Sequence, residues 1–215
     1  MKLYYNPLST FSQKALLAFY EKGVEFEREI VKLSDPESRA TYEKIYPIGK
    51  VPLLIIDGGH MIPESTIIIE YLEGHYAQGT RLIPEGVNAA RKVRFHDRMA
   101  DLYVDEQAVK VLFNQMKIRE YLPADIERAR QLLNISYEFI NRSLEDCTWL
   151  CGSEFSMADC ALIPSLFYVE KLVPFADFHN LAAYWQRAQQ RPSYQKVRAE
   201  FMPIWESMMG ARKTS

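Results

Sequence analysis

The sequence predicts an α/β domain in the order strand, helix, strand, helix, strand, strand, helix, followed by an all-α domain. Three observations carry this expectation. Short strand-like runs alternate with helical apolar spacing over residues 1–76, a glycine- and proline-punctuated stretch occupies 77–86, and helical spacing without a credible hairpin continues through 87–215.

Lys2 to Tyr5 is a short strand-like run closed by Asn6-Pro7, and Phe11 to Tyr20 carries helical apolar spacing at Phe11, Ala15, Leu16 and Phe19. Gly23 ends that helix, Val24 to Val31 reads as a second strand, and Asp35-Pro36-Glu37 opens a second, short helix. Val51 to Ile56 is a third strand with Pro52 near its start, Asp57-Gly58-Gly59 a hairpin turn, and His60 to Ile62 a short return strand. A helix from Ser65 to Tyr76 then covers the sheet. That order describes a thioredoxin-like domain.

The segment Ala77 to Gly86, with Gly79 and Pro84, is the predicted linker. Beyond it, Val87 to Ile118 has sustained helical spacing, Pro123 fits the first turn of a helix running to Leu144, and three further helices reach Met209. Ser156-Met157-Ala158-Asp159 precedes an apolar run as a capping box does, which assigns it a structural role.

Composition narrows the function. The 215 residues are 48% hydrophobic and 25% charged, as in an ordinary globular protein. Their 26 basic and 28 acidic side chains give a net charge of -2, without the basic stripe that nucleic-acid binding needs. No apolar run approaches the ~20 residues that span a bilayer, and Met1 to Tyr5 lacks a signal-peptide stretch, so the expected compartment is the cytoplasm, with no membrane partner. Cys147, Cys151 and Cys160 lie beside no histidine at ligand spacing and read as buried thiols; no metal site is expected.

Taken singly, the candidate functional motifs are ordinary. Ser9, Thr10 and Ser12 stand where a hydroxyl caps a helix, Lys50-Val51-Pro52 fits the start of an edge strand, and Glu64-Ser65 fits a helix cap. Together, and in order, they carry a family resemblance. Tyr4-Tyr5-Asn6-Pro7-Leu8-Ser9, then Tyr46-Pro47-Ile48-Gly49-Lys50-Val51-Pro52-Leu53-Leu54, then Pro63-Glu64-Ser65-Thr66-Ile67-Ile68-Ile69-Glu70-Tyr71-Leu72, resemble the cytosolic glutathione transferases. The box at Ser156 to Asp159 resembles that family's second-domain signature, so the likeness covers nearly the whole chain.

The resemblance implies the glutathione transferase fold, with glutathione as co-substrate, a small electrophile as second substrate, and a two-fold homodimer. It implies that the proline at Pro52 is cis and that the Val51 backbone pairs with the cysteinyl part of glutathione as an added strand would. Glu64 matches the carboxylate that takes the γ-glutamyl ammonium, and Ser65, with the helix N-terminus, the group that takes its carboxylate. Lys50 resembles the partner of the glycyl carboxylate.

The resemblance implies that the catalytic position is Ser9, which matches the serine of the delta and theta classes. In omega-like members the run is Cys-Pro-Phe-Ser-Gln-Lys, and here it reads Ser9-Thr10-Phe11-Ser12-Gln13-Lys14, with serine in place of the cysteine. A serine hydroxyl donates a hydrogen bond to a thiolate but forms no mixed disulfide, so thiol activation is expected over disulfide chemistry. Thr10, Ser12 and Tyr4 remain alternative donors. Two departures from the family pattern are Thr66 and Gln13, where several classes have arginine.

The acceptor site is expected to draw on the long fourth helix and the C-terminal region, with Tyr103, Phe113 and Trp205 as candidates, and Asp101 is a candidate for supporting the γ-glutamyl ammonium across a dimer interface. The electrophile is not legible. A binding or regulatory module on the same fold, or a glutathione-dependent peroxidase or isomerase, would share these residues.

Overall fold

The structure is a computed structural model describing residues 1–213, with side chains as far as Gly210. It contains two compact units. The first is built from Met1–Gly79 together with the last helix, and the second from Thr80–Arg191.

In the first unit β1 (Lys2–Tyr5), β2 (Glu27–Ile30), β3 (Leu53–Ile55) and β4 (Met61–Pro63) form one sheet in the order β2-β1-β3-β4. β1 runs parallel to β2 and antiparallel to β3, and β3 is antiparallel to β4. Along β1 the side chains alternate: Leu3 and Tyr5 are buried, while Tyr4 sits on the other face, its ring 5.7 Å from that of Tyr42. Tyr42 belongs to α2 (Pro36–Glu43), whose N-cap Asp35 accepts the Ser38 N–H at 2.8 Å.

α1 (Thr10–Lys22) begins at the Ser9 cap and ends on Gly23, which takes the left-handed conformation at φ 62°. The Val24 N–H then bonds back to Phe19 O at 3.1 Å. That closing bond is why the second strand starts at Glu27 rather than at Val24, as the apolar pattern suggests. A similar cause shifts the return strand: a 3₁₀ turn at Asp57–Gly59, with Gly58 at φ 79°, replaces a tight hairpin turn and β4 starts at Met61. α3 (Ser65–His75) follows and packs on α1.

The second unit is helical, as expected. α4 (Val87–Met99) and α5 (Glu106–Gln115) are joined without a break by a π-helical segment, Ala100–Asp105, so the sustained spacing of residues 87–118 is one helix with a wide turn in it. Lys117 at φ 51° ends it, with the Ile118 N–H bonded to Phe113 O at 2.9 Å.

α6 (Pro123–Ser143), α7 (Met157–Val169) and α8 (His179–Gln189) complete this unit. α7 is buried on nearly every side and starts at the capping box. There Asp159 Oδ2 accepts the Ser156 N–H at 2.8 Å and its hydroxyl at 2.9 Å, while Oδ1 accepts the Leu150 N–H at 2.9 Å and the Tyr184 hydroxyl at 3.1 Å. Burial nonetheless pushes the Asp159 carboxyl above its ordinary range.

The division of the chain requires one correction. The expected helical domain at 87–215 loses its last helix, α9 (Pro192–Lys213), which packs on α1 in the first unit. Glu200 makes the attachment. Its carboxylate accepts the Tyr5 hydroxyl at 2.8 Å and the Tyr20 hydroxyl, and pairs with Arg28 at 3.1 Å. Burial and then the Glu200 hydrogen bond raise both tyrosines well above the ordinary phenol range.

The cysteines also need correcting. Cys160 is buried, but Cys147 and Cys151 are half-buried, and all are free thiols. Burial pushes the Cys151 thiol up to about 12, so it stays protonated at neutral pH.

Candidate functional site

Strand register collects the predicted residues at one end of the sheet. Tyr4 lies opposite Leu53, and Leu53 opposite Pro63. The loop leaving β1 toward Ser9, the Val51-Pro52 step leading into β3, and the Glu64-Ser65 pair leaving β4 are therefore neighbours at that end of the sheet. All belong to the first unit.

Ser9 is the N-cap of α1, with extended φ -78° and ψ 123°, and its hydroxyl oxygen accepts the Ser12 N–H at 3.3 Å. An acceptor role leaves the hydroxyl proton available for donation. Ser12 is fully buried and its Oγ accepts the Asn6 N–H at 3.2 Å, which makes it part of the loop's support. Tyr4 packs with Tyr42 against Val51 and Leu53. Thr10, the first residue of α1, is half-buried.

The loop itself is held by Asn6, which sequence reasoning read only as a strand stop. Its Nδ2 donates to Val31 O at 2.8 Å, and its Oδ1 accepts the Leu8 N–H at 2.9 Å. Gln13 Nε2 donates to Pro7 O at 2.7 Å. The Asn-Pro pair was the available signal, since an asparagine before proline bonds its own turn.

The Val51–Pro52 peptide is cis, as the resemblance implies. Val51 stands two residues before β3, ahead of the paired residues of that strand. The preceding turn is tied down by the Tyr42 hydroxyl, which donates to Lys50 O at 2.7 Å, and by Gly49 at φ 67°. That left-handed φ is the reason glycine suits the position. The Lys50 residue itself is exposed.

Glu64 adopts φ 71° and ψ 123°, a conformation that disfavours a residue with a side chain by ~1–3 kcal/mol. It is exposed, while Ser65, the first residue of α3, is 3% exposed. Beside them Lys14, only 1% exposed, donates from Nζ to Thr66 Oγ1 at 2.8 Å. Helical spacing alone placed Lys14 on α1 without any reason to expect it near α3.

The second unit holds other residues singled out by sequence. Asp101 lies in the π-helical segment, is 5% exposed and pairs with Arg98 at 3.4 Å, so it is not a solvated helical aspartate. Tyr103 is exposed and Phe113 half-buried; Trp205, also half-buried, belongs to the first unit. Among the described residues no cluster of histidine, cysteine and carboxylate side chains is arranged to hold a metal ion, and no helix is long and apolar enough to cross a membrane.

A sheet of this order, with helices α1 and α3 packed together and a cis-proline before β3, belongs to a thioredoxin-like domain, here joined to a helical domain. Residues 3–80 match the family of glutathione S-transferase N-terminal domains, and residues 104–192 match the family of glutathione S-transferase C-terminal domains. The chain belongs to the glutathione S-transferase family of enzymes.

Curated relatives agree over nearly full length. Glutathione S-transferase TCHQD of Arabidopsis thaliana is 28% identical, with 100% of this chain and 95% of that protein covered. Glutathione S-transferase GstA of Escherichia coli O157:H7 is 28% identical, covering 91% and 96%. Among solved structures, a glutathione S-transferase of Methylobacillus flagellatus KT with GSH bound is 28% identical with a TM-score of 0.82, covering 91% of this chain and 98% of that one.

Proposed function

We propose that the chain binds glutathione at the end of the sheet described above and that the Ser9 hydroxyl holds its thiolate for attack on a small electrophile. The observation that carries this reading is the state of Ser9: a hydroxyl at the head of α1, accepting one long backbone hydrogen bond and still able to donate. Lowering a thiol from its reference near 8.5 to about 6.5 takes roughly 2.7 kcal/mol. A hydrogen bond to a charged group contributes about 1.5–3 kcal/mol, and a helix N-terminus up to ~1 kcal/mol. One hydroxyl in this setting is sufficient.

Around it, the Val51 backbone takes the cysteinyl segment, Glu64 the γ-glutamyl ammonium, Ser65 with the start of α3 the adjoining carboxylate, and Lys50 the glycyl carboxylate. The unfavourable φ of Glu64 supports this assignment, because strained backbone concentrates where a side chain must be presented at a set angle. A two-fold homodimer is part of the reading; sedimentation equilibrium should return twice the 25.0 kDa subunit mass.

Ultraviolet titration of bound glutathione tests the role of Ser9. The wild type should show thiolate at a pH about two units below the free thiol, and Ser9→Ala should remove that shift while the peptide still binds. An unchanged titration in the variant would move the role to Thr10, Ser12 or Tyr4.

A further inference from the structure

We propose that Lys14 is a positioning residue for the γ-glutamyl carboxylate of glutathione, acting through the first turn of α3; the inference rests on the glutathione-binding reading above. Three observations carry it. The side chain is buried to 1% exposure, yet its ammonium reaches across from α1 to Thr66 Oγ1 at 2.8 Å. Thr66 directly follows Ser65, so the bond reaches the turn whose N–H groups and serine hydroxyl would receive the carboxylate. Lys14 also stands little more than one turn after Ser9, so one side chain joins the starts of the two helices that carry the thiol site and the carboxylate site.

The physical consequence is twofold. A charge-assisted hydrogen bond from a buried donor fixes the separation of the two helix starts more tightly than apolar packing does. The ammonium also adds positive potential behind a helix N-terminus already suited to an anion, in surroundings where water screens it poorly. Both effects act on the γ-glutamyl carboxylate and neither reaches the thiol chemistry, which separates this role from that of Ser9.

The test is calorimetric titration of the full chain with glutathione and with γ-aminobutyryl-cysteinyl-glycine, which lacks that one carboxylate. Lys14→Met and Thr66→Val should each weaken glutathione binding about tenfold, and the double variant should lose less than the sum of the two, since both single changes break the same Nζ–Oγ1 bond. Each variant should alter affinity for the decarboxylated tripeptide far less than affinity for glutathione, and the bound-thiol titration at saturation should stay as in the wild type. A merely structural lysine would weaken both ligands alike, and that result would overturn the proposal, as would Lys14→Met binding glutathione with wild-type affinity. Thr66→Val, nearly isosteric and half-buried, carries the test by itself if Lys14→Met does not fold. Failure of the wild type to bind glutathione at all would instead overturn the function on which the inference rests.

Discussion

His96 makes the stability of the helical unit depend on pH in a defined window. It lies in α4 with 3% exposure, its ring 5.2 Å from Phe95 and 5.9 Å from Phe139, and its Nδ1 has no hydrogen-bond partner among the described residues. Burial, and then the charge of Lys92 one turn earlier, lower it from the ordinary 6.5 to about 4. A depressed folded value means that the unfolded chain binds more protons between those limits, so stability is complete above pH 6.5 and falls as the pH drops toward 4. By pH 5 the loss is about 2 kcal/mol at full effect, and about 1.5 kcal/mol once solvent screening of the ring is allowed for. Urea unfolding near pH 7.5 and near pH 5 should show that loss in the wild type, and His96→Phe, which suits the aromatic surroundings, should reduce the difference by the same amount. Carboxylates elsewhere titrate equally in both chains and cancel. If His96→Phe kept the wild-type difference, the buried neutral imidazole would not be its source.

Three further outcomes follow from other sites. Asp159→Ala should destabilise the chain by about 4 kcal/mol in denaturant unfolding, because two buried backbone N–H groups and two hydroxyls lose one acceptor; Asp159→Asn, which keeps an oxygen for two of them, should cost about 2 kcal/mol. Gly79→Ala should cost about 3 kcal/mol and lower the melting temperature, since its Cβ would fall 2.4 Å from Glu21 O at a φ of +71°; a neutral substitution would mean that the turn can move aside. Ser9→Cys should gain the ability to remove glutathione from mixed disulfides, which the wild type should perform poorly, and efficient wild-type turnover would contradict a hydroxyl-based site.

The first domain was legible because its signals are local. Asn6-Pro7, Gly23 and the Asp57-Gly58-Gly59 turn punctuate the chain wherever apolar period changes, and three ordered motifs named the family. What escaped was set by partners distant in sequence. Val24 reads as strand, but its N–H closes the end of α1. Lys14 looks like one more cation on a helix until Thr66, fifty-two residues later, is brought to it. The positive φ of Glu64 leaves no mark in composition, because glutamate is not the residue that such a backbone selects. The π-helical segment is similarly invisible: a six-residue widening barely disturbs the apolar period of a helix that continues on both sides.

The place of α9 has a consequence for how the chain matures during synthesis. The unit that carries Ser9 and Glu64 is written in two pieces, with the whole of Thr80–Arg191 between them. Tyr5 and Tyr20 emerge early, yet the carboxylate that receives their hydroxyls, Glu200, is made only after the whole of Thr80–Arg191. The second unit, continuous in sequence, can close while the first still lacks a helix, although domains usually complete in order from the N-terminus. A chain that stopped just before Pro192 would thus keep the whole sequence of the helical unit and lack the helix that packs on α1, so the loss would fall on the fold of the opening residues.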